Sequence, residues 1–191
     1  MGKSLFLTVI YAVCSLCYMA AQGLVNVKHY SVKDGMSQNT VQGVLQDNEG
    51  YIWMATWNGL EKFDGYSFKN YKTYPTDKVK LQYNRLVNLQ LGGNQMLVCQ
   101  SYDRRVYLFD IRRECFEDVF VYHPEVKLCT AASKIITLPN GMVWIVGTNG
   151  DLWRIDCFRY KDKGGLVYLP AHSDAERKRY VFTVSLDMQG N

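Results

Sequence analysis

Asp47-Asn48-Glu49-Gly50-Tyr51-Ile52-Trp53-Met54-Ala55-Thr56-Trp57-Asn58-Gly59-Leu60-Glu61-Lys62-Phe63-Asp64-Gly65 is the stretch on which the fold turns. It is preceded by Val41, Val44 and Leu45 and followed by Tyr66, Phe68 and Tyr71, an alternation of aromatic and polar side chains. Asp-Asn-Glu-Gly, Asn-Gly and Asp-Gly are turn signals, and the segments between them are rich in strand formers. The unit therefore reads as four short antiparallel strands joined by three tight turns, over residues 40–71.

The pattern returns. Gly141, Trp144, Gly147-Thr148, Asn149-Gly150, Leu152 and Asp156 repeat it, with Gly141 placed 91 residues after Gly50, or two periods of about 45. A degenerate copy lies between: 86–91, then Gly92-Gly93-Asn94, then 96–99 and 106–110. A further copy opens at 181–186 and reaches Asp187-Met188-Gln189-Gly190 before the sequence ends at Asn191. Four strands in a period of forty to fifty residues is the signature of a propeller blade. The fold class is all-β: a partial β-propeller of about three and a half four-stranded antiparallel blades, at about 40–71, 85–122, 133–170 and 180–191. Trp53 and Trp144 are expected as core between blades. Residues 24–30 match the outer strand of the first blade (Val27-Lys28-His29-Tyr30 against Phe68-Lys69-Asn70-Tyr71) and are expected as an orphan outer strand that closes the ring against a blade outside this sequence.

Composition agrees. Of 191 residues, 48% are hydrophobic and 14% aromatic, with 14 Tyr. The net charge of +4 is mild and its basic residues are scattered, which excludes the concentrated basic face of a nucleic-acid binder. Residues 1–21 read as a secretory signal peptide, with Lys3, an apolar stretch over 5–19 and Ala20-Ala21; the alternative is an uncleaved anchor. Residues 22–191 are then the exported propeller part. Cys99, Cys115, Cys129 and Cys157 remain after processing; their spacing matches no zinc pattern, and they are expected as small core residues.

On these residues the chain resembles the two-component regulator propeller family. Asp34-Gly35-Met36-Ser37-Gln38-Asn39-Thr40-Val41 is similar to its lead-in segment, and residues 47–65 to its repeat throughout. The resemblance implies the periplasmic sensor region of a longer hybrid histidine kinase anchored in the inner membrane, with homodimerisation of the full protein and a small-molecule or oligosaccharide ligand as partners, alongside the remaining propeller blades. His29, His123 and His172 do not sit in a phosphoacceptor-like helix, so kinase activity belongs only to the supposed parent, and membrane attachment only to a downstream segment.

The loops between second and third strands share a face with the connections between blades. They supply the expected ligand rim: Trp57, Tyr102, Asp103, Arg105 and Asp151. An exposed aromatic ring stacks on a sugar face, and the polar groups bond hydroxyls. Trp57 has the alternative of folding over a neighbouring blade, while Asn58-Gly59 and Asn149-Gly150 serve the turns themselves. The loops at 72–84 and 161–178 are longer than hairpin turns; His172, Asp174 and Glu176 in the second have no fixed geometry, so neither a metal site nor a cofactor is expected. No catalytic residue is assigned. An exported lyase or glycoside hydrolase would need converging carboxylates such as Asp103 and Asp151, and an interaction scaffold would need none.

Overall fold

The computed structural model describes Tyr11 and residues 27–77, 79, 81–93, 95–129 and 131–171. Residues 1–30 and 31–191 form separate units, and the second holds the strands. The first blade comprises β1 (Val41–Gln46), β2 (Ile52–Thr56), β3 (Gly59–Phe63) and β4 (Phe68–Tyr71). The second comprises β5 (Leu86–Leu91), β6 (Met96–Ser101), β7 (Val106–Asp110) and β8 (Cys115–Glu117), followed by the short helix α1 (Val119–Tyr122). The third comprises β9 (Ala132–Thr137), β10 (Met142–Gly147), β11 (Leu152–Asp156) and β12 (Leu166–Leu169). Each is a four-stranded antiparallel sheet in sequential order. The all-β, partial-propeller expectation holds for these three blades.

Period-two alternation makes each blade two-faced. On β6 and β7 both faces are apolar and buried, because this blade is covered on both sides. Leu97, Cys99, Tyr107 and Phe109 face the first blade with Trp53, Leu60 and Tyr71, whereas Val98, Val106 and Leu108 face the third with Val143, Ile145 and Trp153. Trp53 is fully buried, 5.4 Å from the Phe109 ring and 5.8 Å from Tyr71. Its indole N–H donates to Asp47 Oδ2 at 2.7 Å, while Asp47 Oδ1 accepts the backbone N–H groups of Glu49 and Tyr51. One carboxylate thus closes the β1–β2 turn and satisfies the buried tryptophan, which accounts for the aspartate six residues before it in this blade.

Trp144 takes the position on β10 that Trp53 takes on β2, where Trp53 packs on the next blade along the chain. Val143 and Ile145 face the second blade, so alternation turns Trp144, half-buried, to the opposite face, whose expected neighbour, the copy at 180–191, lies outside the described residues. Leu138 stands at the position of Asp47. The core between the second and third blades takes Trp153, whose N–H donates to Lys127 O at 2.7 Å. A correction concerns 161–178, read as a loop: Leu166-Val167-Tyr168-Leu169 within it form β12, paired with β11. Residues 172–191, including the fourth copy and His172, Asp174 and Glu176, lie outside the described residues. So do the signal segment except Tyr11, and residues 24–26; residues 27–30 carry no regular secondary structure.

The lead-in segment is tied down by polar contacts. Ser31 and Asp34 form a reciprocal cap around a 3-10 turn, Val32–Asp34. Gly35 (φ +102) then turns the chain so that Met36 is buried. The Ser37 N–H donates to Oε1 of the fully buried Glu61, which also accepts from Asn70 Nδ2. The four cysteines at 99, 115, 129 and 157 are free thiols, and burial pushes Cys129 and Cys157 up to about 11. They pack rather than react at neutral pH.

Gly59 offers a stringent check on the turn chemistry. Its φ is +106, and an added Cβ would stand 2.3 Å from the Tyr71 carbonyl oxygen. Gly59→Ala is expected to cost about 2 kcal/mol, from backbone strain and the clash together. Urea unfolding of the two proteins measures it; a loss under about 0.5 kcal/mol would show that the turn relaxes freely.

Candidate functional site

Each blade presents its β2–β3-type turn on the face where the innermost strand begins. In the first blade Thr56 Oγ1 donates to Gly59 O at 2.8 Å and accepts from Asn58 N, which closes the turn and leaves the Trp57 side chain 41% exposed. In the second, Arg104 adopts φ +65, its N–H donates to Ser101 O, and Tyr102 stands 58% exposed. Asp103 takes the Ser101 hydroxyl and pairs with Arg105 at 3.5 Å. In the third, Thr148 occupies the corresponding position, so the aromatic rim belongs to the first two blades.

Trp57 and Tyr102 are joined by a residue that the sequence reading passed over. The Arg85 guanidinium lies 3.5 Å from the Trp57 ring centre and 4.3 Å from that of Tyr102. Tyr102 N–H donates to the Arg85 carbonyl at 2.9 Å, fixing the two loops against each other. Trp57 therefore does lean toward the neighbouring blade, as its alternative reading expected, yet it stays open to solvent. The signal for Arg85 was positional: it immediately precedes β5, and an inner strand starts on the rim face.

Asp151 is corrected. It is 1% exposed, with both carboxylate oxygens in use. Oδ1 accepts the Ala171 N–H at 2.9 Å. Oδ2 accepts from Asn149 Nδ2 at 2.7 Å, Lys127 Nζ at 2.6 Å and Tyr168 OH at 3.1 Å. Burial acts to raise its pKa, but the hydrogen bonds outweigh it and hold the group at about 2. Asp151 is a clasp of the third blade, not a free group of the rim.

The inner strands carry a shared irregularity beside these turns. Each has one extra residue near its start, Gln42, Val87 and Ser133, where the register to the next strand shifts. Such bulges re-aim side chains at the edge of a sheet. Val87 and Ser133 line a cleft of about 600 Å³ between the second and third blades, together with Gln100, Tyr102 and Arg104. Gln100 Nε2 and Ala132 N–H reach across it to Ala132 O and Arg104 O respectively. A separate cleft of about 420 Å³ lies on the opposite face, among the β1–β2-type turns, with Asn48, Glu49, Gly93, Pro139 and Phe158 in its wall. Among the described residues no group of three His, Cys, Asp or Glu could hold a metal ion, and no helix is long and apolar enough to cross a membrane.

No family model matches the chain. Over 76 residues, 40% of its length, it is 32% identical to Histidine kinase P4 of Formosa agariphila, 6% of which the match covers. Its fold is similar to the extracellular domain of the putative one component system BT4673 of B. thetaiotaomicron, with a TM-score of 0.50 and 23% identity over 71% of this chain and 16% of that one. The extracellular domain of the putative hybrid two component system BT3049 from the same organism aligns at a TM-score of 0.43 and 17% identity, over 75% of this chain and 26% of that one. The likeness to the BT4673 domain is one of fold. The chain spans only a small part of each of these proteins.

Proposed function

We propose that the chain is part of the ligand-sensing input module of a two-component signalling protein, carrying no catalytic machinery of its own. The observation that supports this most is the solvent-open rim of Trp57, Arg85 and Tyr102, built from two adjacent blades. The sequence likeness to a histidine kinase supports the signalling context. A ligand bridging two blades would bias their packing, and a change of packing is what a receptor domain transmits. The ligand class proposed is an oligosaccharide, since exposed aromatic faces flanked by guanidinium and carboxylate groups match stacked rings with equatorial hydroxyls. Export to the periplasm, further blades closing the ring against residues 24–30, and dimerisation of a full-length kinase parent belong to the same proposal.

Hydrolase or lyase chemistry finds little support at the carboxylates first considered. Asp151 is buried and held at about 2, which removes it as a general acid at neutral pH. Asp103 is engaged by Arg105 and Ser101.

Calorimetric titration against an oligosaccharide panel tests the reading. At least one saccharide is expected to bind wild type, with Trp57→Ala weakening it about tenfold or more, as loss of a stacking platform costs on the order of 1–2 kcal/mol. Thermal unfolding of Trp57→Ala should remain close to wild type, because the ring is a surface group. Unchanged affinity in the variant would remove the rim from the account.

A further inference from the structure

The guanidinium of Arg85 is placed in an unusual setting. It lies between two aromatic faces, Trp57 on one blade and Tyr102 on the next. Among the described residues no carboxylate pairs with it, and its buried Nε–H has no acceptor. A guanidinium stacked in this way loses water from both flat faces and keeps only its in-plane N–H groups for bonding. Leaving a buried donor without a partner costs free energy unless something supplies one. The nearby charges do not: Asp103 is committed to Arg105 and to Ser101, and Arg104, exposed on the same turn, adds a second uncompensated cation among the described residues. The rim is therefore net positive where it is most aromatic. Of the Arg85 nitrogens only Nε is both buried and unpaired, so the terminal N–H groups are the part of the fork nearest solvent.

We infer that Arg85 is the specificity-determining group of this rim and that the ligand it takes is an acidic saccharide, whose carboxylate or sulfate is received by the guanidinium edge while a sugar ring stacks on Trp57. This rests on the reading of the rim as a saccharide site, and narrows it. A planar fork suits a two-oxygen anion, and the aromatic clamp pre-orients the fork before the ligand arrives. Lysine could carry the charge but could neither stack as a plane nor donate two parallel bonds.

Calorimetry on the full chain with three probes decides it: tetragalacturonate, a neutral galactotetraose and a sulfated carrageenan tetrasaccharide. The two acidic probes distinguish a carboxylate from a sulfate preference. At least one is expected to bind about tenfold or more tighter than the neutral probe, and to weaken as salt rises from about 50 to 200 mM. Arg85→Gln should bring the affinity for the acidic probe down to about that for the neutral one, and Arg85→Lys should keep the preference only in part. Circular dichroism checks that the variants fold, and Arg85→Lys keeps the test open should Arg85→Gln not fold. Equal affinity for acidic and neutral probes, or wild-type binding of the acidic probe by Arg85→Gln, would overturn the inference while leaving the saccharide reading standing. Titration with acetate and sulfate alone, followed through the Trp57 indole resonance, separates the other case. A response in wild type that Arg85→Gln abolishes, with no saccharide bound, supports the anion site and refutes the saccharide. No response to any probe overturns both.

Discussion

Trp53→Ala is expected to destabilise the protein by about 3–5 kcal/mol, the range for removing a large, fully enclosed aromatic side chain. Trp53 is 0% exposed and sits at the seam between the first two blades, against Tyr71 and Phe109. Its loss opens a cavity in a seam that the two sheets cannot close without sliding past one another. It also strands Asp47 Oδ2, whose partner is the indole N–H. Trp53→Phe separates the two contributions: it keeps most of the packing and loses the hydrogen bond, so a cost of about 1–2 kcal/mol is expected. Urea midpoints for the three proteins measure both. A cost below about 1 kcal/mol for Trp53→Ala would mean that the seam between blades is not a packed core.

Asp151→Asn should cost about 3 kcal/mol, although it changes no volume. The carboxylate is surrounded by donors only: Ala171 N–H, Asn149 Nδ2, Tyr168 OH and Lys127 Nζ. An amide would turn an –NH2 group toward some of them, leaving buried donors facing a donor. The pH dependence follows from the sign of the shift. Asp151 is held at about 2, below its ordinary value of 3.8, so the unfolded chain takes up the proton first as pH falls. Its contribution is complete above about pH 4 and is lost as the pH drops through about 2. Asp110, Glu114 and Glu117 are also held below their ordinary values and share this window, so the informative quantity is a difference. Asp151→Asn should flatten the acid limb of the stability curve by about 2 kcal/mol between pH 4 and 2. An acid limb parallel to wild type would contradict the clasp.

Most of the blade architecture was legible because turn chemistry punctuates it. Asn58-Gly59 and Asn149-Gly150 mark hairpins directly, and strands β5, β7 and β11 lie where the spacing put them. The outer strands were harder. β8 is three residues long and follows Arg112-Arg113-Glu114, so charge obscured it. β12 follows Gly164-Gly165, which read as loop; an added Cβ at Gly165 would stand 1.9 Å from the Arg159 carbonyl oxygen, so the glycine serves a tight turn that returns the chain to the sheet. At the rim, Trp57 and Tyr102 could be read from turn position. Arg85 could not be read from any motif, since its meaning comes from two rings on different blades. Asp151 looked like a polar turn residue, and only its surroundings show it to be buried.

The central claim is that ligand engages the face bearing Trp57, Arg85 and Tyr102. Hydrogen exchange, followed peptide by peptide with and without the tightest-binding saccharide of the panel, tests it most directly. The account predicts slowed exchange at residues 56–59, 84–88 and 101–106, with the turns at 47–50 and 138–141 unchanged. Protection confined to those two turns would place the ligand in the opposite cleft and contradict it.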